Sequence, residues 1–209
     1  MGEGIVWASR SMMDSTLIKR ISSDFYENDK PGLIEAGEFI RKGEPIPKRL
    51  IPPRLFSDTT RKFSGLPDFF NGSGYWIVST ELADILRQFE LGASALYPIK
   101  IFQHDRETPV PGRYECLSFG ERKETFIPEK TERVRRHFDD KQDVWELPSA
   151  FRDDEVAVRE TALSGPDLWM ETPRLPHVFF LSDPLVQAIK SAKLSRTMGL
   201  RRCRVIADH

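Results

Sequence analysis

The chain has 209 residues, 39% of them apolar and 30% charged, with 31 Lys and Arg set against 32 Asp and Glu. That length suits one good-sized domain, and that composition suits a folded protein rather than a disordered chain. The near-balance of charge excludes a global field for nucleic acid or an anionic membrane, and no apolar run approaches the roughly 20 residues of a membrane span.

Taken in order, residues 4–11 read as an opening strand, and residues 17–25 form a short apolar segment whose period fits strand and helix alike. The start carries no basic region followed by a long apolar core, so a secretory signal is not expected and the cytoplasm is the expected compartment. Lys30-Pro31-Gly32 is a turn signal. Residues 43–56 hold four prolines, which remove backbone donors and fix φ, so this stretch is expected as an extended connector and not as a helix or central strand. Residues 1–65 have too few periodic apolar residues for a core of their own. They are expected as a proline-rich N-terminal arm or small lobe wrapping a core over 66–209.

Residues 75–102 read as strand, helix, strand. Trp76, Ile77 and Val78 are β-favouring, Ser79 stands where a helix N-cap belongs, and Glu81 follows in the first turn. Leu82, Ile85, Leu86 and Phe89 then draw one apolar stripe, closed by Gly92. The pattern returns at 179–206. Phe179, Phe180 and Leu181 lead to Ser182, and Leu185, Ala188, Ile189 and Ala192 repeat the stripe 103 positions later. The predicted fold is therefore α+β, a mixed sheet built around two related strand-Ser-helix-strand units in a single domain over 1–209. Between the units, residues 113–119 read as a strand carrying Tyr114, Cys116, Leu117 and Phe119, and residues 121–160 are a charged insertion with 12 acids and nine bases. Val134, Phe138 and Trp145 suggest a thinly striped helix over 131–145.

Chemistry is sparse. Two cysteines are too few for a disulfide framework, and the four histidines stand apart with no metal-ligand spacing. His137-Phe138-Asp139-Asp140 is better read as a solvated face than as a metal site. Cys116 reads as a buried thiol in a strand, and alternation sends Arg202 and Arg204 away from Cys203. Ser79 and Ser182 lack the flanking glycines of a nucleophile elbow, so both read as helix caps. No catalytic, cofactor-binding or metal-binding residue is assigned.

The ordered set L-P-D-F-F at 66–70, W-I-V-S at 76–79, L-R-Q-F-E-L-G at 86–92, L-Y-P at 96–98, A-L-S-G-P-D-L-W at 162–169, F-F-L-S-D at 179–183 and L-R-R-C-R-V at 200–205 resembles the predicted immunity-protein domain family of bacterial polymorphic toxin systems. That resemblance implies an α+β fold and a non-enzymatic role, binding and neutralising a cognate toxin encoded nearby. The expected contact residues are Asp139, Asp140, Asp143, Asp153, Asp154 and Glu155 of the insertion, which would suit a basic toxin surface such as that of a nuclease. Arg201, Arg202 and Arg204 of the closing strand complete the set, as a docking patch for an acidic partner. Two other readings stand beside it: an enzyme whose site gathers distant residues such as His104, Cys116 and Asp154, and a scaffold that self-associates.

Overall fold

The computed structural model describes residues 4–137 and 143–207. Its architecture is α+β. The first stretch gives β1 (Val6–Ser9), β2 (Ile18–Lys19) and β3 (Ile21–Ser23), then α1 (Asp24–Asn28), α2 (Lys30–Lys42) and β4 (Arg54–Ser57). Lys30-Pro31-Gly32 is not a turn but the first turn of α2. The Asp29 side chain accepts from the Gly32 N–H, and Pro31 stands where no intrahelical donor is needed. Gly43, at φ 65°, ends the helix with its N–H on the Ile40 carbonyl. The proline-rich stretch likewise differs in part from its reading as a connector. It runs through one 3-10 turn, Lys48–Leu50, and then enters β4, which lies inside a sheet between two other strands. Pro52 and Pro53 precede the paired residues, so the ladder loses no donor.

The first unit follows as β5 (Phe69–Gly72), β6 (Tyr75–Ser79), α3 (Thr80–Leu86) and β7 (Ala95–Phe102), with β8 (Tyr114–Ser118) after it. The insertion supplies β9 (Arg135–Arg136), β10 (Trp145–Glu146) and β11 (Ala157–Arg159). The second unit comprises β12 (Leu168–Glu171), β13 (Leu175–Ser182), α4 (Asp183–Ser191), β14 (Leu200–Arg202) and β15 (Arg204–Ile206). The helix expected over 131–145 is not formed. Arg135 and Arg136 pair antiparallel with Glu146 and Trp145, and residues 138–142 lie outside the described set. A stripe of three apolar residues, Val134, Phe138 and Trp145, spread over 15 positions is too thin to hold a helix. Val134 and Trp145 pack instead against a core shared with the second unit.

Seven strands form one sheet in the order β2-β5-β6-β8-β7-β4-β3. Only Arg20 separates β2 from β3, so the chain bends from one edge to the other and the sheet nearly closes into a barrel. Four strands form a second sheet, β12-β13-β1-β14, and two small pairs join β9 to β10 and β11 to β15. Within the large sheet the order β5-β6-β8-β7 matches the order of the second sheet strand for strand. In each, a hairpin is followed by a capped helix and a strand, and the two strands flanking the helix sit on either side of one antiparallel strand. That middle strand comes after the helix in the first unit, as β8, and from the start of the chain in the second, as β1. The N-terminal residues are thus the centre of a sheet.

Because side chains alternate across a strand, each sheet buries both faces. Phe70, Ile77 and Cys116 point into the barrel, where α2 adds Ala36, while Phe69, Val78 and Leu117 point the other way. There they meet Leu168, Phe179 and Leu181 of the second sheet, together with Leu82 and Leu86 of α3 and Leu185 and Ile189 of α4. The far face of the second sheet, with Trp169, Val178 and Phe180, is covered by Phe126, Phe151 and Val158 of the insertion. The charged insertion therefore carries its own apolar contribution to the core.

Candidate partner-binding surface

The two groups of expected contact residues meet in part, at Asp153 and Asp154 with Arg202. The strand β11 of the insertion lies parallel to β15, which brings residues 153–155 beside the closing strand. Asp154 takes the left-handed conformation, φ 63°, and its N–H donates to the Arg202 carbonyl at 2.8 Å. The Arg202 guanidinium grips the Asp154 carboxylate with both arms, Nε to Oδ1 at 3.0 Å and Nη2 to Oδ2 at 2.7 Å. Asp153 accepts the Arg202 backbone N–H at 2.8 Å. Glu155 accepts from the Arg152 N–H and from Arg133. Arg204 donates to the Lys130 carbonyl and lies 3.7 Å from Glu132, whereas Arg201 turns back to the Leu200 carbonyl. Asp143 accepts from Trp145 Nε1 and from Arg174 Nε, each at 2.6 Å. Asp139 and Asp140 lie outside the described residues.

The surface is thus a lattice of opposite charges rather than an acid patch beside a basic one. The guanidinium of Arg202 holds the Asp154 carboxyl below the ordinary range, Arg133 does the same for Glu155, and Trp145 and Arg174 for Asp143. All stay ionised at neutral pH; Asp154 and Asp143 keep much of their surface in solvent, with the Arg202 and Asp154 side chains 49% and 47% exposed, whereas Glu155 is largely covered. Such pairs add little to stability but fix where each charge is presented.

The residues weighed for chemistry fall elsewhere. Ser79 accepts from the Leu82 N–H and Ser182 from the Leu185 N–H, so both cap helices as expected. Each hydroxyl also donates to an aspartate, Ser79 to Asp68 at 2.9 Å and Ser182 to Asp167 at 2.5 Å. The backbone repeats the tie, Ser79 N–H to the Asp68 carbonyl and Ser182 N–H to the Asp167 carbonyl, both at 3.0 Å. These aspartates escaped the sequence reading, although the matching Pro-Asp pairs at 67–68 and 166–167 were its signal. Cys116 lies inside the barrel with its thiol pushed up to about 12 by burial, and burial raises Cys203 as well. His104 faces the Ser57 carbonyl, Cys116 the barrel core and Asp154 the ion pair with Arg202. The structure does not bring these three together.

Lys123, Arg133, Arg174 and Glu171 are further tie points that sequence patterning missed. The Lys123 ammonium caps the carbonyls of Ser164 and Pro166 at 2.8 Å and sits 3.7 Å from the Trp169 ring. Buried Glu171 receives the N–H groups of Thr125 and Phe126 and the Thr125 hydroxyl on a single oxygen. Among the described residues no group of three His, Cys, Asp or Glu side chains could hold a metal ion, and no helix is long and apolar enough to cross a membrane.

The model of one family, described as the immunity protein family Imm11, matches residues 12–202. The chain belongs to that family. The match takes in the large sheet, the insertion and the second sheet from β12 to β14, leaving β1 and β15 outside it, so the Imm11 pattern includes the N-terminal segment from Met12 onward as well as most of the two repeated units. Comparison with the curated proteins gives no match.

Proposed function

We propose that this Imm11 chain acts in the cytoplasm by binding a cognate toxin encoded nearby and occluding its active site or substrate path, without chemistry of its own. Membership of an immunity protein family across residues 12–202 is the observation that carries this reading. The proposed contact surface is the ion-paired face on which the insertion meets the closing strand, with Asp153, Asp154, Glu155, Arg201, Arg202 and Arg204; Asp139, Asp140 and Asp143 of the insertion belong to the same proposal by sequence alone. A lattice of fixed, solvent-exposed charges suits discrimination among related toxins, because a partner with one sign misplaced meets repulsion instead of a pair. The complementary toxin face therefore carries both signs, and the basic, nuclease-like partner suggested by the acids alone is a special case.

Pull-down of the toxin encoded by the adjacent gene tests the assignment. Wild-type chain is expected to capture it. Arg202→Glu, which reverses the centre of the lattice, is expected to lose at least about tenfold in affinity. Undiminished capture by a folded Arg202→Glu chain would move the interface elsewhere.

A further inference from the structure

Where α2 meets both sheets, the fold leaves a cavity of about 350 Å³, within the range of roughly 300–1,000 Å³ typical of small-molecule sites. Its walls are apolar: Met12, Ile40, Ile46, Trp76, Leu117 and Phe119 line it. Its polar residues are few and distinctive. Arg41 comes from the last turn of α2, His177 from β13, and Thr172 from the loop between β12 and β13.

The backbone at this cavity is built in an unusual way. Met170 lies opposite Phe179, but the next residue, Glu171, lies opposite Leu175, so residues 176–178 bulge from β13. His177, in that bulge, has φ 65°, a left-handed conformation uncommon for a residue with a side chain. Bulges of this kind re-aim a side chain beside a site, and disfavoured backbone concentrates where a ligand is clamped. Thr172, only 6% exposed, has a hydroxyl with no hydrogen-bond partner among the described residues. Arg41 pairs with Glu38, but those side chains are 70% and 48% exposed, and so open an ion pair exchanges carboxylates at little cost.

We propose that this cavity binds a small carboxylate with an apolar body, the body lying against the Met12, Ile40 and Leu117 walls and the carboxylate held by Arg41 and His177. The cavity shares no residue with the ion-paired face, so the proposal does not rest on toxin binding. A bound ligand touches α2, β6, β8, β12 and β13 together and therefore stabilises the folded chain by mass action.

Calorimetry with octanoate, octanol and octylamine tests it on the full chain. Octanoate is expected to bind one to one, to raise the melting temperature and to shift the NMR signals of the Met12, Ile40 and Ile46 methyls. Octylamine is expected to bind several-fold more weakly, and Arg41→Gln to weaken octanoate by about two- to fivefold while leaving octanol unchanged. Gly37 also lines the cavity, and a Cβ added there would meet nothing within 4 Å, so Gly37→Leu is expected to remain folded, to extend its side chain into the cavity and to lose octanoate binding. No heat or methyl shift with octanoate, or undiminished binding in both variants, would overturn the site. Equal affinity for all three probes would overturn the carboxylate assignment.

Discussion

Ser79 and Ser182 stand at strand-to-helix turns, where a nucleophile also belongs, but each is held from both sides. Its oxygen accepts a helix N–H and its hydrogen goes to Asp68 or Asp167. Ser79→Ala or Ser182→Ala is expected to cost about 0.5–2 kcal/mol in chemical denaturation while leaving toxin binding intact. Glu171 carries the opposite kind of strain. Burial, opposed by hydrogen bonds from Thr125, raises its pKa above the ordinary 4.5. The folded state therefore holds the proton more tightly than the unfolded one, so the favourable protonated form is present below about 4.5 and is lost as pH rises through the folded value. Glu171→Ala, which strands the Thr125 and Phe126 donors, is expected to cost about 1–3 kcal/mol in urea denaturation. Glu171→Gln retains the accepting oxygen and is expected to remove that part of the pH dependence.

Among the elements, the insertion is fastened by buried apolar residues beneath and ion pairs above. Arg202→Ala removes the two-armed grip on Asp154, an exposed pair worth about 0.2–1 kcal/mol globally. The expected result is a small change in overall stability but faster hydrogen exchange at residues 153–155. Asp154 also gives the lattice an acid limit. Because Arg202 lowers its folded pKa, the contribution is whole above the ordinary 3.8 and fades as pH falls through the folded value. The capped helices α3 and α4 were legible, since periodicity, cap and stop all lie within a dozen residues. Helix α2 was hidden by a Pro-Gly pair that sits at its start, where both are tolerated, and the insertion helix was inferred from a stripe too thin to bury. The aspartate ties were missed because their meaning depends on a hairpin that folds them back.

At the scale of the molecule, the repeat seen in the sequence proves to be a repeat of sheet order, completed by two strands that the sequence showed as strands but could not place in a sheet. Both β1 and β8 are short and apolar, and nothing local says that each slots between the outer strands of a unit. Of the charged face proposed for partner binding, the sequence showed separate charges only; the pairing of residues 153–155 with the closing strand depends on the parallel contact of β11 with β15. Removing residues 4–10 is expected to abolish cooperative unfolding, because it opens the second sheet between β13 and β14. A chain trimmed of a mere covering arm would instead unfold cooperatively.

The reading of this Imm11 chain as a toxin-neutralising binder is tested most directly by growth of cells that co-express it with the toxin of the adjacent gene. Restored growth and a stable stoichiometric complex are the expected result. Continued arrest, with the chain folded and no complex recovered, would contradict it.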